Sequence, residues 1–311
     1  AIGFLSQSAH LMTQFQSRTI AVIGLGLISG TLARALRASS WNGTLTAWGP
    51  REASLQRGLE LGVIDHFSLE LSEVLASADM VVVGAPPAAT GDILKSVVEE
   101  LSQLNRTPVI TDLASIKGHV IDSMACEYAN FVPGHPIAGS EHSGVAFADG
   151  DLFRGREVIL TPLLHTAAHA TEQVKAMWDL TGAYIRQMGV EEHDALLAAS
   201  SHMPHIVAYA LTRALERDAS NPMVHGGRAL RDMTRIAGSD PLMWTDISVT
   251  NRIALLDAID GFQDEMTSLR DLIASSDAAA LRDYFAICRS HRRAHDDILN
   301  PLPASDAEET S

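Results

Sequence analysis

Strand-like and helix-like segments alternate from residue 18 to residue 188, and helix-like segments alone follow. That order limits the possible folds more than any single motif does. Residues 18–24 (RTIAVIG) form a short β-branched run, 24–30 are rich in glycine, and 31–38 have helical composition. A strand over 44–48 and a helix over 51–61 repeat the unit. Residues 78–85 (ADMVVVGA) are apolar and stop at Pro86 and Pro87, as suits a strand buried on both faces of a parallel sheet. A helix near 90–104, a strand over 108–112 and a helix from about 116 continue the series. A strand over 157–160, a helix over 167–180 and a short strand over 184–188 complete it. Such alternation predicts a doubly wound α/β sheet. After Met188, residues 191–218, 226–236, 243–272 and 278–299 all read as helical. The expected organisation is an α/β domain over residues 1–188 and an all-α domain over 189–311.

Composition narrows the function. The chain has 311 residues, 46% of them apolar and 20% charged, which fits two well-buried domains and excludes wholesale disorder. The formal net charge is −15. A surface so acidic repels phosphate backbones and anionic membranes, so neither nucleic acid nor membrane is an expected partner. A local pocket can still be positive. No stretch approaches the roughly 20 apolar residues of a membrane helix. Neither Lys nor Arg precedes Arg18, which argues against a secretory leader. Cys126 and Cys288 are the two cysteines, enough for one disulfide but not for a disulfide scaffold, so a cytoplasmic location is expected. Residues 1–17 read as an extension before the first strand, and residues 301–311 as a frayed polar end.

The turn Gly24-Leu25-Gly26-Leu27-Ile28-Ser29-Gly30 follows a strand and opens a helix. A dinucleotide pyrophosphate needs a tight turn, a backbone it can approach and a helix N-terminus facing its charge. Gly24 and Gly26 meet the first two needs, and Leu27 and Ile28 belong to the same expected cofactor-binding turn. Ser29 stands where the third glycine of the fingerprint is usual. The α/β domain therefore reads as a Rossmann-like dinucleotide-binding domain. The second strand ends at Trp48-Gly49-Pro50-Arg51, with no carboxylate at its tip for an NAD ribose. Arg51 can face a 2′-phosphate, or simply be a solvated helix-start residue. The cofactor is thus NADP or NAD, with NADP mildly favoured.

Three further segments carry candidate chemistry. Asp112-Leu113-Ala114-Ser115-Ile116-Lys117 ends a parallel strand, where ligands of such sheets bind. Ser115 can face the site, or Asp112 or Ser115 can cap the next helix. Pro133-Gly134-His135-Pro136 reads as an irregular loop holding a His between Gly and Pro. His135 suits a general base near neutral pH, and equally a structural His. The helical half adds Ser201-His202-Met203-Pro204-His205 and the arginine-bearing run from Arg231 through Arg235 to Trp244. Arginine recognises carboxylates with paired hydrogen bonds. No third ligand accompanies His202 and His205, and His291 and His295 sit on a charged face, so no metal is expected.

The segments GLGLISGTLARAL, DLASIKG, GHPIAGSEHSG, LFRGREVILTP, SHMPH and RDMTRIAGSDPLMWTDI, in that order, resemble the prephenate/arogenate dehydrogenases of tyrosine biosynthesis over about residues 19–300. The resemblance implies oxidative decarboxylation of prephenate, with arogenate as the alternative substrate, on a homodimer joined through the helical domain. It implies His135 as the catalytic His bonding the substrate hydroxyl, and Ser115 as the Ser that orients it. It implies Arg235 on a substrate carboxylate, His202 as a substrate contact, and Glu141 and Asp232 as acids near the entrance. Trp244 would wall the pocket. Relatives preferring NAD usually carry Asp where Gly49 stands.

Two other classes compete. β-Hydroxyacid dehydrogenases need a catalytic Lys in the helical half, and no Lys follows Lys175. A regulator that binds NAD(P) without turnover would not need His135, Ser115 and Arg235 together. Prephenate is favoured over arogenate because no acid is assigned to an ammonium, with Asp149 and Asp151 as possible exceptions.

Overall fold

The computed structural model describes residues 15–139 and 142–299. By contacts the chain divides into a unit ending at Leu255 and a second beginning at Leu256.

The first unit opens with strand β1 (Thr19–Ile23), helix α1 (Leu27–Ala38), β2 (Thr44–Trp48), α2 (Glu52–Glu60), β3 (His66–Ser68) and α3 (Leu71–Leu75). There follow β4 (Met80–Val83), α4 (Pro87–Gln103), β5 (Val109–Asp112), α5 (Gly118–Met124) and β6 (Phe131–Val132). These strands form one parallel sheet of six in the order β3-β2-β1-β4-β5-β6. The order reverses between β1 and β4, so the carboxyl ends of those strands flank the crevice where such sheets bind ligands.

Side-chain alternation explains the two cores. On β1, Ile20 and Val22 join one apolar cluster with Leu32, Leu36, Val82 and Trp178. Ala21 and Ile23 join the other, with Val81, Val83, Leu94 and Val97. With helices covering both faces, β4 is buried at all four positions. Pro87 opens α4, where a missing N–H costs nothing.

A second sheet joins β7 (Gly134–Pro136), β8 (Glu157–Leu160) and β9 (Tyr184–Gln187), with α6 (Ala168–Asp179) between β8 and β9. β7 runs antiparallel to β8, with His135 opposite Ile159, and β9 runs parallel to β8.

The helical part begins with α7 (Val190–Leu197), a π turn (Ala198–His202) and α8 (Met203–Glu216). It continues with α9 (Arg228–Thr234), a 3₁₀ turn (Arg235–Gly238) and α10 (Pro241–Thr250). Helix α11 (Arg252–Ala274) crosses into the second unit, which also holds α12 (Ala278–Arg293) and α13 (Asp296–Leu299). Within that unit Asp277 caps α12 by accepting from the N–H groups of Ala279 and Ala280, and Tyr284 donates to Glu265.

Several expectations are corrected. His135 lies on strand β7 and is buried, not on an irregular loop. The run 191–218 is not one helix: Pro204 has no N–H, and the Met203 N–H reaches back five residues to the Ala198 carbonyl. The run 243–272 breaks at Asn251, whose side chain bonds elsewhere. Residues 15–17 are not a mere extension, since Phe15 and Ser17 are buried and the Trp41 ring N–H donates to the Ser17 carbonyl. Cys126 and Cys288 are free and exposed, so no disulfide joins them. No helix among the described residues is long and apolar enough to cross a membrane.

Candidate active site

The glycine turn sits at the tip of β1. Gly24 has φ +89°, and a Cβ there would lie 2.6 Å from the Gly84 carbonyl oxygen, so glycine is required twice over. A Cβ built on Gly26 meets nothing within 4 Å, which leaves room for a ligand to approach the backbone. Ser29 donates through Oγ to the Gly24 carbonyl at 2.7 Å and accepts from the Gly26 N–H at 2.9 Å. It therefore stitches the turn instead of merely fitting. Leu27 and Ile28 open α1, whose first N–H groups lack intrahelical partners. These residues fit a dinucleotide pyrophosphate. Arg51 is exposed at the start of α2, beyond the tip of β2.

The tip of β5 is an electrostatic anchor. Lys117 Nζ lies 2.5 Å from Asp112 Oδ2 and donates to the Gly134 carbonyl at 2.6 Å. Asp112 also accepts from the N–H groups of Ala114 and Gly134. Neither Asp112 nor Ser115 caps α5; Asp194 accepts instead from the N–H groups of Lys117 and Gly118. Burial pushes the Lys117 pKa down, and Asp112 counters it.

His135 follows Gly134 and is only 9% exposed. Its Nδ1 lies 2.9 Å from His193 Nε2, and His193 Nδ1 lies 2.7 Å from Asp194 Oδ1. Burial holds the His135 pKa well below that of a free His, and the neighbouring His193, Lys117 and His202 add to the effect. Burial lowers His193 too, against the pull of Asp194. Burial pushes Asp194 up, but the bonds from His193 and from the Lys117 and Gly118 N–H groups outweigh it and keep its pKa low. Ser115 is half-buried, and among the described residues no hydrogen bond joins it to His135.

His202 stands at the end of the π turn, buried, with its pKa pushed down to about 4 chiefly by burial. Asn251 Nδ2 donates to the Asp194 backbone carbonyl at 2.9 Å and lies 3.1 Å from His202 Nδ1. The carbonyl can only accept, so the amide nitrogen must face it, and the second amide hydrogen meets His202 Nδ1. His202 is therefore an Nε2–H donor. Trp244 is buried, stacks on His205 at 3.7 Å and packs with Ile116.

Arg235 opens the 3₁₀ turn after α9, exposed and near enough to His205 to lower its pKa, which burial depresses first. Asp232 pairs with Arg228 at 3.4 Å and Arg231 at 3.7 Å. Glu141 lies outside the described residues. The structure thus brings His135 and His202 into one network through His193, Asp194 and Asn251. Sequence reasoning missed those three and the part played by Lys117. His193 and Asp194 fall inside an expected helix, and no sequence signal marks them. Among the described residues no His, Cys, Asp and Glu cluster suits a metal ion.

A buried imidazole with one free nitrogen, beside a second imidazole that donates, can take a proton from one substrate atom while bonding another. The family description "Prephenate dehydrogenase, nucleotide-binding domain" matches residues 32–187, and "Prephenate dehydrogenase, dimerization domain" matches 189–287. The chain belongs to the prephenate dehydrogenase family. It is 34% identical to the cyclohexadienyl dehydrogenase of Zymomonas mobilis over 280 residues, covering 88% of this chain and 94% of that protein. It is 34% identical to the prephenate dehydrogenase of Bacillus subtilis, covering 88% of this chain and 75% of that one. The crystal structure of the A. aeolicus prephenate dehydrogenase, in complex with hydroxyphenyl propionate and NAD+, superposes with a TM-score of 0.84 at 30% identity. That match covers 90% of this chain and 99% of the other. This family member is an oxidoreductase with an NAD(P) cofactor, and its fold is the Rossmann-like sheet with a helical C-terminal part.

Proposed function

We propose that this oxidoreductase converts prephenate to 4-hydroxyphenylpyruvate, with arogenate as the poorer substrate. The observation that carries the reading is His135: buried, with Nδ1 committed to His193, it has only Nε2 left for a substrate. A bound NAD(P) supplies the acceptor for the hydride from C4 of the ring. His135 takes the proton of the 4-hydroxyl at Nε2, and loss of carbon dioxide then aromatises the ring. His202 donates from Nε2 to a substrate oxygen. Ser115 lines the same strand tip and helps to seat the hydroxyl. Arg235 pairs with a substrate carboxylate, Asp232 and Glu141 shape the charge at the entrance, and Trp244 closes the pocket wall.

Gly24, Gly26, Leu27 and Ile28 hold the pyrophosphate, and Arg51 meets the 2′-phosphate of NADP. Prephenate is favoured because Asp149 accepts from the Asp151 N–H and Asp151 pairs with Arg154, so neither is reserved for an ammonium. The functional division falls at residues 188 and 189. The helical part forms a homodimer, an assignment supported by large apolar side chains left exposed on it, among them Ile253, Phe285 and Ile287. The protein works in the cytoplasm and needs no nucleic acid or membrane.

The test is to mix the enzyme with prephenate or arogenate and NADP or NAD, and to follow the reduced-cofactor absorbance. Prephenate with NADP is expected to give a kcat/KM at least equal to any other combination. A clear preference for arogenate, or no reduction with either substrate, overturns the substrate reading.

A further inference from the structure

We propose that His193 and Asp194 form a proton relay behind His135. They hold its lone pair at Nε2, and the proton taken there drives the Nδ1 proton onto His193, beside the Asp194 carboxylate. The inference rests on the reading of His135 as the base.

The direction of every proton follows from the acceptor at the end of the chain. Asp194 as a carboxylate can only accept, and it does so from His193 Nδ1 and from the Lys117 and Gly118 N–H groups. His193 Nδ1 therefore carries a hydrogen. A neutral His193 then has its lone pair at Nε2, 2.9 Å from His135 Nδ1. That nitrogen must donate, which leaves His135 Nε2 as the free base. The two rings meet edge-on, 5.1 Å between centroids, as this bond requires.

The relay also answers a physical difficulty. His135 is buried and faces His193, Lys117 and His202, so an imidazolium kept there is strongly disfavoured. A base that holds its proton so poorly is a weak catalyst. His193 faces Asp194 and Asp112 as well as Lys117, and two carboxylates make it the better place for charge. The atoms balance. The substrate hydroxyl loses one proton to His135 Nε2, His135 loses one from Nδ1 to His193 Nε2, and His135 ends neutral. His193 ends as an imidazolium paired with Asp194. Both are positioning residues, since neither touches the substrate.

The test uses full-length H193Q and D194N, with H135N as the reference. Gln can still bond at position 193 but cannot carry a proton. In H193Q and D194N we expect kcat to fall about 10²-fold while KM stays within about threefold. The acidic limb of the kcat profile should move to lower pH, because the carboxylate no longer stabilises the bound proton. ¹⁵N signals of wild-type His135 should show the lone pair at Nε2. Unchanged turnover in H193Q, with H135N inactive, overturns the relay and leaves the base reading standing. A fall in kcat with the limb unmoved marks a packing role and also overturns it. Should neither variant fold, a wild-type His135 protonated at Nε2 is enough to overturn it. H135N retaining turnover and its acidic limb defeats the base reading itself.

Discussion

Lys117 Nζ and Asp112 Oδ2 lie 2.5 Å apart with both side chains fully buried. The same ammonium bonds the carbonyl of Gly134, the residue before His135. One ion pair thus fastens the end of β5 to the strand that carries the base. Removing one member of a buried pair typically costs about 3–5 kcal/mol, because the other charge is stranded. Lys117→Met should lose stability of that order in urea unfolding, with turnover falling too. Adding Asp112→Asn should restore part of the stability. A single variant as stable as the wild type would show that the pair contributes nothing.

His135→Asn should lower kcat by about 10²–10⁴-fold and abolish the acidic limb, with cofactor binding retained. Because His135 is buried and bonded to His193, the change should also cost about 1–3 kcal/mol of stability. Calorimetry and a pH series on one preparation separate the two effects. Near-normal turnover would refute the role.

The cofactor cradle can be probed at two glycines and one arginine. Gly26→Ala should fold normally, since its Cβ meets nothing, yet weaken both NAD and NADP. Gly24→Ala should unfold more readily, because its Cβ would strike Gly84 at positive φ. Arg51→Ala should raise the KM for NADP and leave that for NAD nearly unchanged. Equal effects on the two cofactors would remove Arg51 from the site.

Arg235→Gln should weaken substrate binding by about 2–5 kcal/mol while leaving cofactor affinity intact. Asp232 is paired with Arg228 and Arg231, so Asp232→Asn should change substrate affinity far less. Calorimetric titration with the substrate decides; an Arg235 variant of unchanged affinity would make that residue structural.

Acid should destabilise the fold through its buried imidazoles. His135, His193 and His202 all have lowered pKa values, so below about pH 6.5 the unfolded chain takes up protons that the folded one refuses. Stability is then lost as pH falls. With His202 held at about 4, its share is about 3 kcal/mol, lost between roughly pH 6.5 and 4. His202→Gln should lose correspondingly less between pH 7 and pH 4 in urea titrations. Parallel curves for the two proteins would contradict the argument.

The sheet was legible because burial on both faces leaves continuous apolar runs such as that of β4. β6 and β7 were not, since strands of two and three residues carry no period to read. His135 looked like a loop residue because Pro136 follows it, yet the strand is a short one that its antiparallel partner β8 holds. His193 and Asp194 lay within an expected helix, where neither their mutual bond nor the bond to His135, 58 positions away, leaves a trace in the sequence. Asn251 broke no apolar pattern, because α10 and α11 both stay helical to within one residue of it. Pro204 stands in the first turn of α8, where proline is tolerated, and the run 191–218 therefore read as one helix.

The π turn over Ala198–His202 sets the direction in which His202 points. In an unbroken α-helix, residues nine apart are two and a half turns apart and point to opposite sides. A π turn absorbs one residue, which swings His202 about a quarter of a circle from His193 instead of half. Loss of a single residue between 198 and 201 would regularise the helix and improve its hydrogen bonding. The two histidines would then stand eight residues apart, still about a quarter of a circle from each other, so His202 would keep its direction toward Asn251. The damaging change is a regular α turn at unchanged length, which would restore the half circle and aim His202 away from Asn251.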